Sequence, residues 1–286
     1  MPGGWPAGWL VGAEGRGVAT IARMVALTRL DCVLGTAALL RQGTAQAIHH
    51  ALHRRAFGGL LADQPLMRNV LADLALESEA ATTLGLRLAA GVDAGETEFL
   101  RIGTALGKYL VCKRAPGVLA EALECLGGNG YVEESILPRL YREAPVNSVW
   151  EGSGNVNALD LLRALRRSPG TTDALLAEIA LARGGDGRLD AFAARLATDL
   201  AASLSASEED AAWAARSLAA QGALALQASL LVRHAPGPVA AAFLATCQNI
   251  SSGRAAVRCK AMTSARTGLG RSTRTVIWSR RTSLRH

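Results

Sequence analysis

A chain of 286 residues with 50% hydrophobic content and a mean hydropathy of +0.19 has ample apolar mass for one large or two ordinary cores, which excludes a chain that is mainly disordered. Aromatic residues are only 4% while alanine and leucine dominate, a balance that favours helix interiors over strands. The net charge of +7 is unevenly placed: residues 251–286 carry nine Lys or Arg and no acid, leaving 22 basic against 24 acidic residues elsewhere. The body is therefore near neutral, and its composition gives no nucleic-acid signal.

The start, Met-Pro-Gly-Gly-Trp-Pro, has no basic region followed by an apolar core, and no apolar run reaches the roughly 18 residues of a membrane span. A cytoplasmic protein is expected. The cysteines Cys32, Cys112, Cys125, Cys247 and Cys259 are widely spaced and form no CxxC pair, so buried free thiols are expected rather than a disulfide framework or a zinc site.

In chain order, residues 1–17 are glycine-rich and irregular, with a short strand expected through Trp9-Leu10-Val11. From Val18 to His53 apolar residues recur at helical spacing, including Ile21, Val25, Leu30, Val33 and Leu34, and predict one long helix. After the Phe57-Gly58-Gly59 break, Pro65 opens a second helix that should end near Gly91. A third runs from about Thr97 to Leu126, kinked or divided at Pro116. Residues 127–150 read as a long irregular connection, of the kind that tends to be functional. A fourth helix starts near Ser153 and closes at Ser168-Pro169-Gly170. Shorter amphipathic helices follow at about 171–183, 188–204, 207–233 and 237–249, with Ser207 and the acids after it marking a helix start.

From Ser251 the character changes to a Ser/Thr/Arg-rich tail. A solvated disordered tail, a phosphate-binding arm and a frame-shifted terminus all fit this composition.

The residues that demand chemistry lie in Leu126–Arg163. Gly127-Gly128-Asn129-Gly130 lets backbone approach a flat or phosphorylated ligand. Glu151, between Trp150 and Gly152 at the mouth of a helix, is placed as a general base often is, open to a pocket and partly desolvated. An acid that merely complements the helix dipole is the plain alternative. Arg54, Arg55, Phe57 and Gly58 put two cations and an aromatic at a helix end, where they either cap the helix or grip a pyrophosphate and cover an adenine. His49 and His53 stand one turn apart but lack a third ligand, so no metal site is expected. Glu133 and Glu134 read as a solvated pair, while Arg139, Tyr141 and Arg142 pack or brace the loop.

Taken together, Arg54-Arg55-Ala56-Phe57-Gly58, Leu126-Gly127-Gly128-Asn129-Gly130-Tyr131 and Trp150-Glu151-Gly152-Ser153 resemble the C-terminal helical domain of the acyl-CoA dehydrogenases in order and spacing, over about residues 8–245. Met67-Arg68, the Glu133-Glu134-Ser135 turn and Pro138-Arg139-Leu140-Tyr141-Arg142-Glu143 through Asn155 look like the AidB-type branch, a DNA-associated flavoprotein group. The resemblance implies an all-α fold: a four-helix bundle over 18–168 and a smaller helical extension over 169–250. Residues 1–17 would be the remnant of a β-domain and its linker, and 251–286 the irregular basic tail.

It implies that Glu151 removes the α-proton of an acyl-CoA thioester while FAD accepts a hydride at N5. Trp150, Ser153, Asn155, Glu124 and Gly128 match positions at the flavin. Arg54 and Phe57 match residues that contact the FAD of a neighbouring subunit, hence a homo-oligomer, a tetramer by resemblance. Arg29 matches an arginine near the active site. Two departures matter: a carboxylate at Glu124 suits a pyrophosphate less than an amide, and Ala56 lacks the hydroxyl often found before Phe57. The family's N-terminal helical and β domains lie outside this chain, so a fragment with little activity alone is expected. The competing class is a DNA-binding or DNA-protecting module using Arg163, Arg166, Arg167 and the tail, and a degraded, inactive product is the third.

Overall fold

The structure is a computed structural model and describes residues 8–168 and 170–247; the basic tail and Cys259 lie outside them. α1 (Gly17–His53) is a single helix of 37 residues. It leads through a two-strand hairpin, β1 (Arg55–Ala56) and β2 (Gly59–Leu60), into α2 (Pro65–Asp93). α3 (Thr97–Gly107), a π-helical stretch at Lys108–Cys112 and α4 (Lys113–Glu124) follow without a loop. Then come α5 (Gly128–Tyr131), α6 (Leu137–Asn147), α7 (Gly154–Arg167), α8 (Gly170–Ala180), α9 (Gly187–Ser205), α10 (Glu208–His234) and α11 (Gly237–Cys247).

Local chemistry accounts for most of these boundaries. Pro65 occupies the first turn of α2, where its missing N–H costs nothing. Asp186 and Ser207 accept hydrogen bonds from backbone N–H groups of the first turns of α9 and α10, which satisfies donors that a bare helix end leaves open.

The expected all-α fold is present. α1 packs on α2, α4 and α6, and α10 is the helix around which α2, α3, α7, α8, α9 and α11 gather. Leu218, Ala219 and the run from Gly222 to Leu231 are buried almost without interruption, as they must be in a helix contacted on all sides. One polar cluster sits inside this packing. Glu178, 6% exposed, takes Arg87 from α2 and Arg233 from α10. Burial opposes its ionisation, but the two guanidinium groups outweigh that and hold its carboxyl below the usual range.

Three expectations are corrected. Trp9, Leu10 and Val11 form no strand and are exposed, since no partner strand for them exists among the described residues. Residues 127–150 are not one irregular connection, because α5 and the 11-residue α6 lie inside them. Leu137, Leu140 and Ala144 give α6 a buried face, and Pro138 sits in its first turn, where proline is tolerated. The third helix breaks upstream of Pro116. Pro116 cannot donate to the carbonyl of Cys112 and its ring crowds that group, and the register widens over Lys108–Cys112 to accommodate it.

Asp73 on α2 carries a testable burden. Its Oδ2 is buried without a partner, and burial, then Glu77 and Glu121, push its carboxyl up to about 6 despite Arg114 nearby. Arg114 is engaged with Glu77. A raised carboxyl pKa means that the folded state holds a proton the unfolded chain has released, so stability falls as pH rises from about 4 through about 6. Asp73→Asn should raise stability at pH 7.5 by about 1–2 kcal/mol, after discounting a two-unit shift for partial exposure, with little gain at pH 4.5. Urea unfolding at both pH values checks this, and an equal loss at both would contradict it.

Candidate functional site

The turn from Ser148 to Ser153 joins α6 to α7 and carries Glu151. Its first part is closed by hydrogen bonds from the Val149 and Trp150 N–H groups to Val146 O. Glu151 then adopts φ +57° and Gly152 φ +104°, and Ser153 is the N-cap residue of α7. A left-handed conformation at a non-glycine residue costs on the order of 1–2 kcal/mol, so the surroundings must hold it.

They do so through the backbone carbonyls. Arg29 of α1 donates Nε–H to Glu151 O at 2.8 Å. Lys108 Nζ donates to Asn147 O at 3.1 Å and to Gly152 O at 2.9 Å. Asn157 Nδ2 donates to Gly152 O at 2.6 Å and to Ser153 O at 3.0 Å. Arg29 is itself fixed by Asp160, whose carboxylate, 14% exposed, takes Arg29 at 2.8 Å and both terminal nitrogens of Arg101 at 3.1 and 2.9 Å. Burial raises the Asp160 pKa, but the bonds and charges of Arg101 and Arg29 outweigh it and leave the carboxyl below its ordinary range. α1, α3 and α7 meet at this carboxylate.

In front of the turn lies a cavity of about 370 Å³ between α1 and α6, with Glu151 and Trp150 on its rim and Thr28, Cys32 and Asn147 among its walls. Burial keeps the Cys32 thiol pKa above its ordinary value, and two further acids, Asp31 and Glu143, also line the cavity. The arrangement places a carboxylate on a braced turn beside a pocket, which is what proton abstraction from a bound small molecule needs.

Of the residues picked out by sequence, the structure brings Glu151, Trp150, Ser153 and Arg29 together. Ser153 makes no side-chain cap hydrogen bond. Asn155, two residues on, accepts a hydrogen bond from Arg216 of α10 at 3.0 Å. Glu124 and Gly128 stand where α4 passes into α5. The glycine cluster divides by role: Gly127 has φ +60° and a Cβ on Gly128 would meet open space, whereas a Cβ on Gly130 would collide with Leu123 O. Gly130 is thus explained by packing alone.

Arg54 and Phe57 lie at the other end of α1, roughly 40 Å from Arg29 along the helix axis. Phe57 is the tip of the β1–β2 hairpin, with φ +53° and a side chain 88% exposed. Arg163, Arg166 and Arg167 lie on the exposed side of α7, with Arg166 3.6 Å from Glu208. Glu133, read as part of a solvated pair, is engaged by Arg142 through two bonds at 2.6 and 2.8 Å; the bracing expected of Arg142 is present and exposed. His53 Nδ1 contacts His49 O at 2.7 Å. Among the described residues no group of three potential metal ligands is found, and no helix is long and apolar enough to cross a membrane.

Sequence reasoning missed Lys108, Asn157, Asp160 and Arg101. Signals for three of them were present. Lys108 is the sole charged residue in the run Ile102–Cys112, and Asn157 and Asp160 interrupt the apolar pattern of Ala158, Leu161, Leu162 and Leu165 on α7.

Comparison with known proteins adds the following. Residues 15–166 match the family model described as acyl-CoA dehydrogenase, C-terminal domain. The chain is 47% identical over 197 residues to the putative acyl-CoA dehydrogenase AidB of Escherichia coli K12, covering 68% of this chain and 36% of that protein. It is 35% identical over 161 residues to acyl-CoA dehydrogenase family member 11 of Caenorhabditis elegans, covering 54% and 26%. Among solved structures it resembles Caenorhabditis elegans ACDH-11 in complex with C11-CoA, with a TM-score of 0.68 at 26% identity, over 80% of this chain and 42% of that one. The chain spans about a third of the length of the curated relatives it matches.

Proposed function

The chain belongs to the acyl-CoA dehydrogenase family, and from that premise we propose that it forms the helical part of an FAD-dependent dehydrogenase in which Glu151 removes the α-proton of an acyl-CoA thioester. The observation that carries the reading is the placement of Glu151 at the rim of the 370 Å³ cavity on a turn whose backbone is held by buried donors. FAD, when bound, takes the β-hydrogen as hydride. The protein's own task is the proton: Glu151 receives it, and Arg29, fixed by Asp160, keeps the Glu151 backbone from moving as the charge changes.

The residues present fit a flavin at several points. Ser153 Oγ is free of capping, Gly128 offers open backbone, and the half-exposed Trp150 presents a ring. Arg54 and Phe57 are too far along α1 to serve the pocket of their own Glu151, so in this reading they reach the cofactor of another copy, and the working protein is a homo-oligomer, a tetramer in our proposal. Glu124 fits less well, since Glu121 beside it adds a second acid and neither suits a pyrophosphate.

The test is a chimera in which this chain replaces the matching segment of the Escherichia coli relative, loaded with FAD. Bleaching of the flavin absorbance on adding an acyl-CoA supports the proposal; a flavin that stays oxidised with every acyl-CoA tried sinks it. DNA binding through Arg163, Arg166 and Arg167 is the second reading. It has less behind it, because Arg166 is already offset by Glu208.

A further inference from the structure

Lys108 stands out as a buried cation with no carboxylate partner among the described residues. It is 1% exposed, and it is the first residue of the π-helical stretch between α3 and α4. An ammonium group in such a place needs acceptors. It finds two carbonyls, Asn147 O at the end of α6 and Gly152 O just past Glu151. These two oxygens bracket the whole turn. Burial lowers the Lys108 pKa, with Cys112, Cys32 and Glu151 opposing that shift and Arg29 reinforcing it.

We propose that Lys108 is a positioning residue for Glu151: it clamps both ends of the Ser148–Ser153 turn and so fixes where the Glu151 carboxylate stands at the cavity. The proposal rests on the reading of Glu151 as the base. The geometry has a particular logic. Lys108, Arg29 and Asn157 take the carbonyls of Asn147, Glu151, Gly152 and Ser153, so the turn spends its acceptors inward and leaves the Glu151 side chain to the cavity. Arg29 holds Glu151 O and Asn157 holds Gly152 O and Ser153 O, all in the second half of the turn, so these two side chains leave its start free to pivot. Lys108 bonds Asn147 O at the start and shares Gly152 O with Asn157, and so ties the two ends together. A packing residue of similar length, such as methionine, fills the same volume without donating.

The experiment compares the full chain with its Lys108→Met and Lys108→Gln variants, the second retaining an N–H donor without the charge and keeping the test readable if the first fails to fold. Amide hydrogen exchange is followed at Val149 and Trp150, whose N–H groups are bonded to Val146 O, relative to buried amides of α2 and α10. The 13C resonance of the Glu151 carboxyl is recorded at one fixed pH as a reporter of its surroundings. Exchange in the turn at least ten times faster than in the parent, with α2 and α10 unchanged and the Glu151 carboxyl resonance displaced from its parent position, is the expected result. A variant that folds and keeps both the turn protection and the Glu151 carboxyl resonance of the parent overturns the proposal, as does loss of protection spread equally over all helices. If instead Glu151→Gln in the flavin-loaded chimera leaves acyl-CoA oxidation intact, the reading of Glu151 fails on its own while the clamp measured here stands.

Discussion

Glu151→Gln in the flavin-loaded chimera is expected to slow flavin reduction by an acyl-CoA by a factor of about 10²–10⁴, the range that a positioned general base contributes. The substitution keeps the shape of the side chain and removes its capacity to take a proton. The Glu151 backbone oxygen still accepts from Arg29, so the turn should keep its conformation, and the affinity for the acyl-CoA should change little. A loss confined to the rate therefore identifies proton removal as the step affected. Stopped-flow absorbance of the flavin reads it directly. A comparable loss in binding with an unchanged rate would point instead to a role in holding the thioester.

Asp160→Ala has the largest expected effect on stability. Its carboxylate, 14% exposed, neutralises Arg29 and Arg101 at once, and the alanine variant leaves Arg29, only 17% exposed, without its counter-charge. Removing one partner of a buried pair costs about 3–5 kcal/mol, and the greater exposure of Arg101 brings the expected loss here to roughly 2–4 kcal/mol. The pH dependence has a definite sign. A carboxyl whose folded pKa is depressed contributes stability above its unfolded pKa and loses that contribution as pH falls through the folded value. The variant should thus lose most at neutral pH and converge on the parent in acid, a change opposite in sign to that of Asp73→Asn. Urea midpoints at pH 7.5 and pH 3 measure it. A loss of equal size at both would mean that packing, and not charge, holds α1, α3 and α7 together.

The helical boundaries were legible wherever a local residue enforces them. Pro65, Ser153, Ser207 and the apolar periodicity of α1 placed four helix starts or spans within a residue or two of where they lie. The α6 helix was hidden because Pro138 and Pro145 bracket it and its polar face, Arg139, Arg142 and Glu143, reads as a loop. The break between α3 and α4 was assigned to Pro116 itself, whereas a proline acts on the carbonyl four residues before it. Glu151 and Arg29 were picked out through motif and resemblance, and the structure sets them in contact. Their supports were not, because Lys108, Asn157, Asp160 and Arg101 become partners only when four helices converge, and nothing in their local sequence names the acceptors. The positive φ of Glu151 was likewise invisible, since glutamate is not a residue that announces a left-handed turn.

The central claim is that Glu151 takes the α-proton of an acyl thioester, and hydrogen exchange at that carbon tests it without depending on complete turnover. The flavin-loaded chimera and its Glu151→Gln variant are each incubated with an acyl-CoA in deuterated water, and the recovered thioester is analysed by mass spectrometry. Deuterium at the α-carbon with the parent, and background incorporation with the variant, is the result predicted. Equal incorporation by both proteins would contradict the assignment of the base.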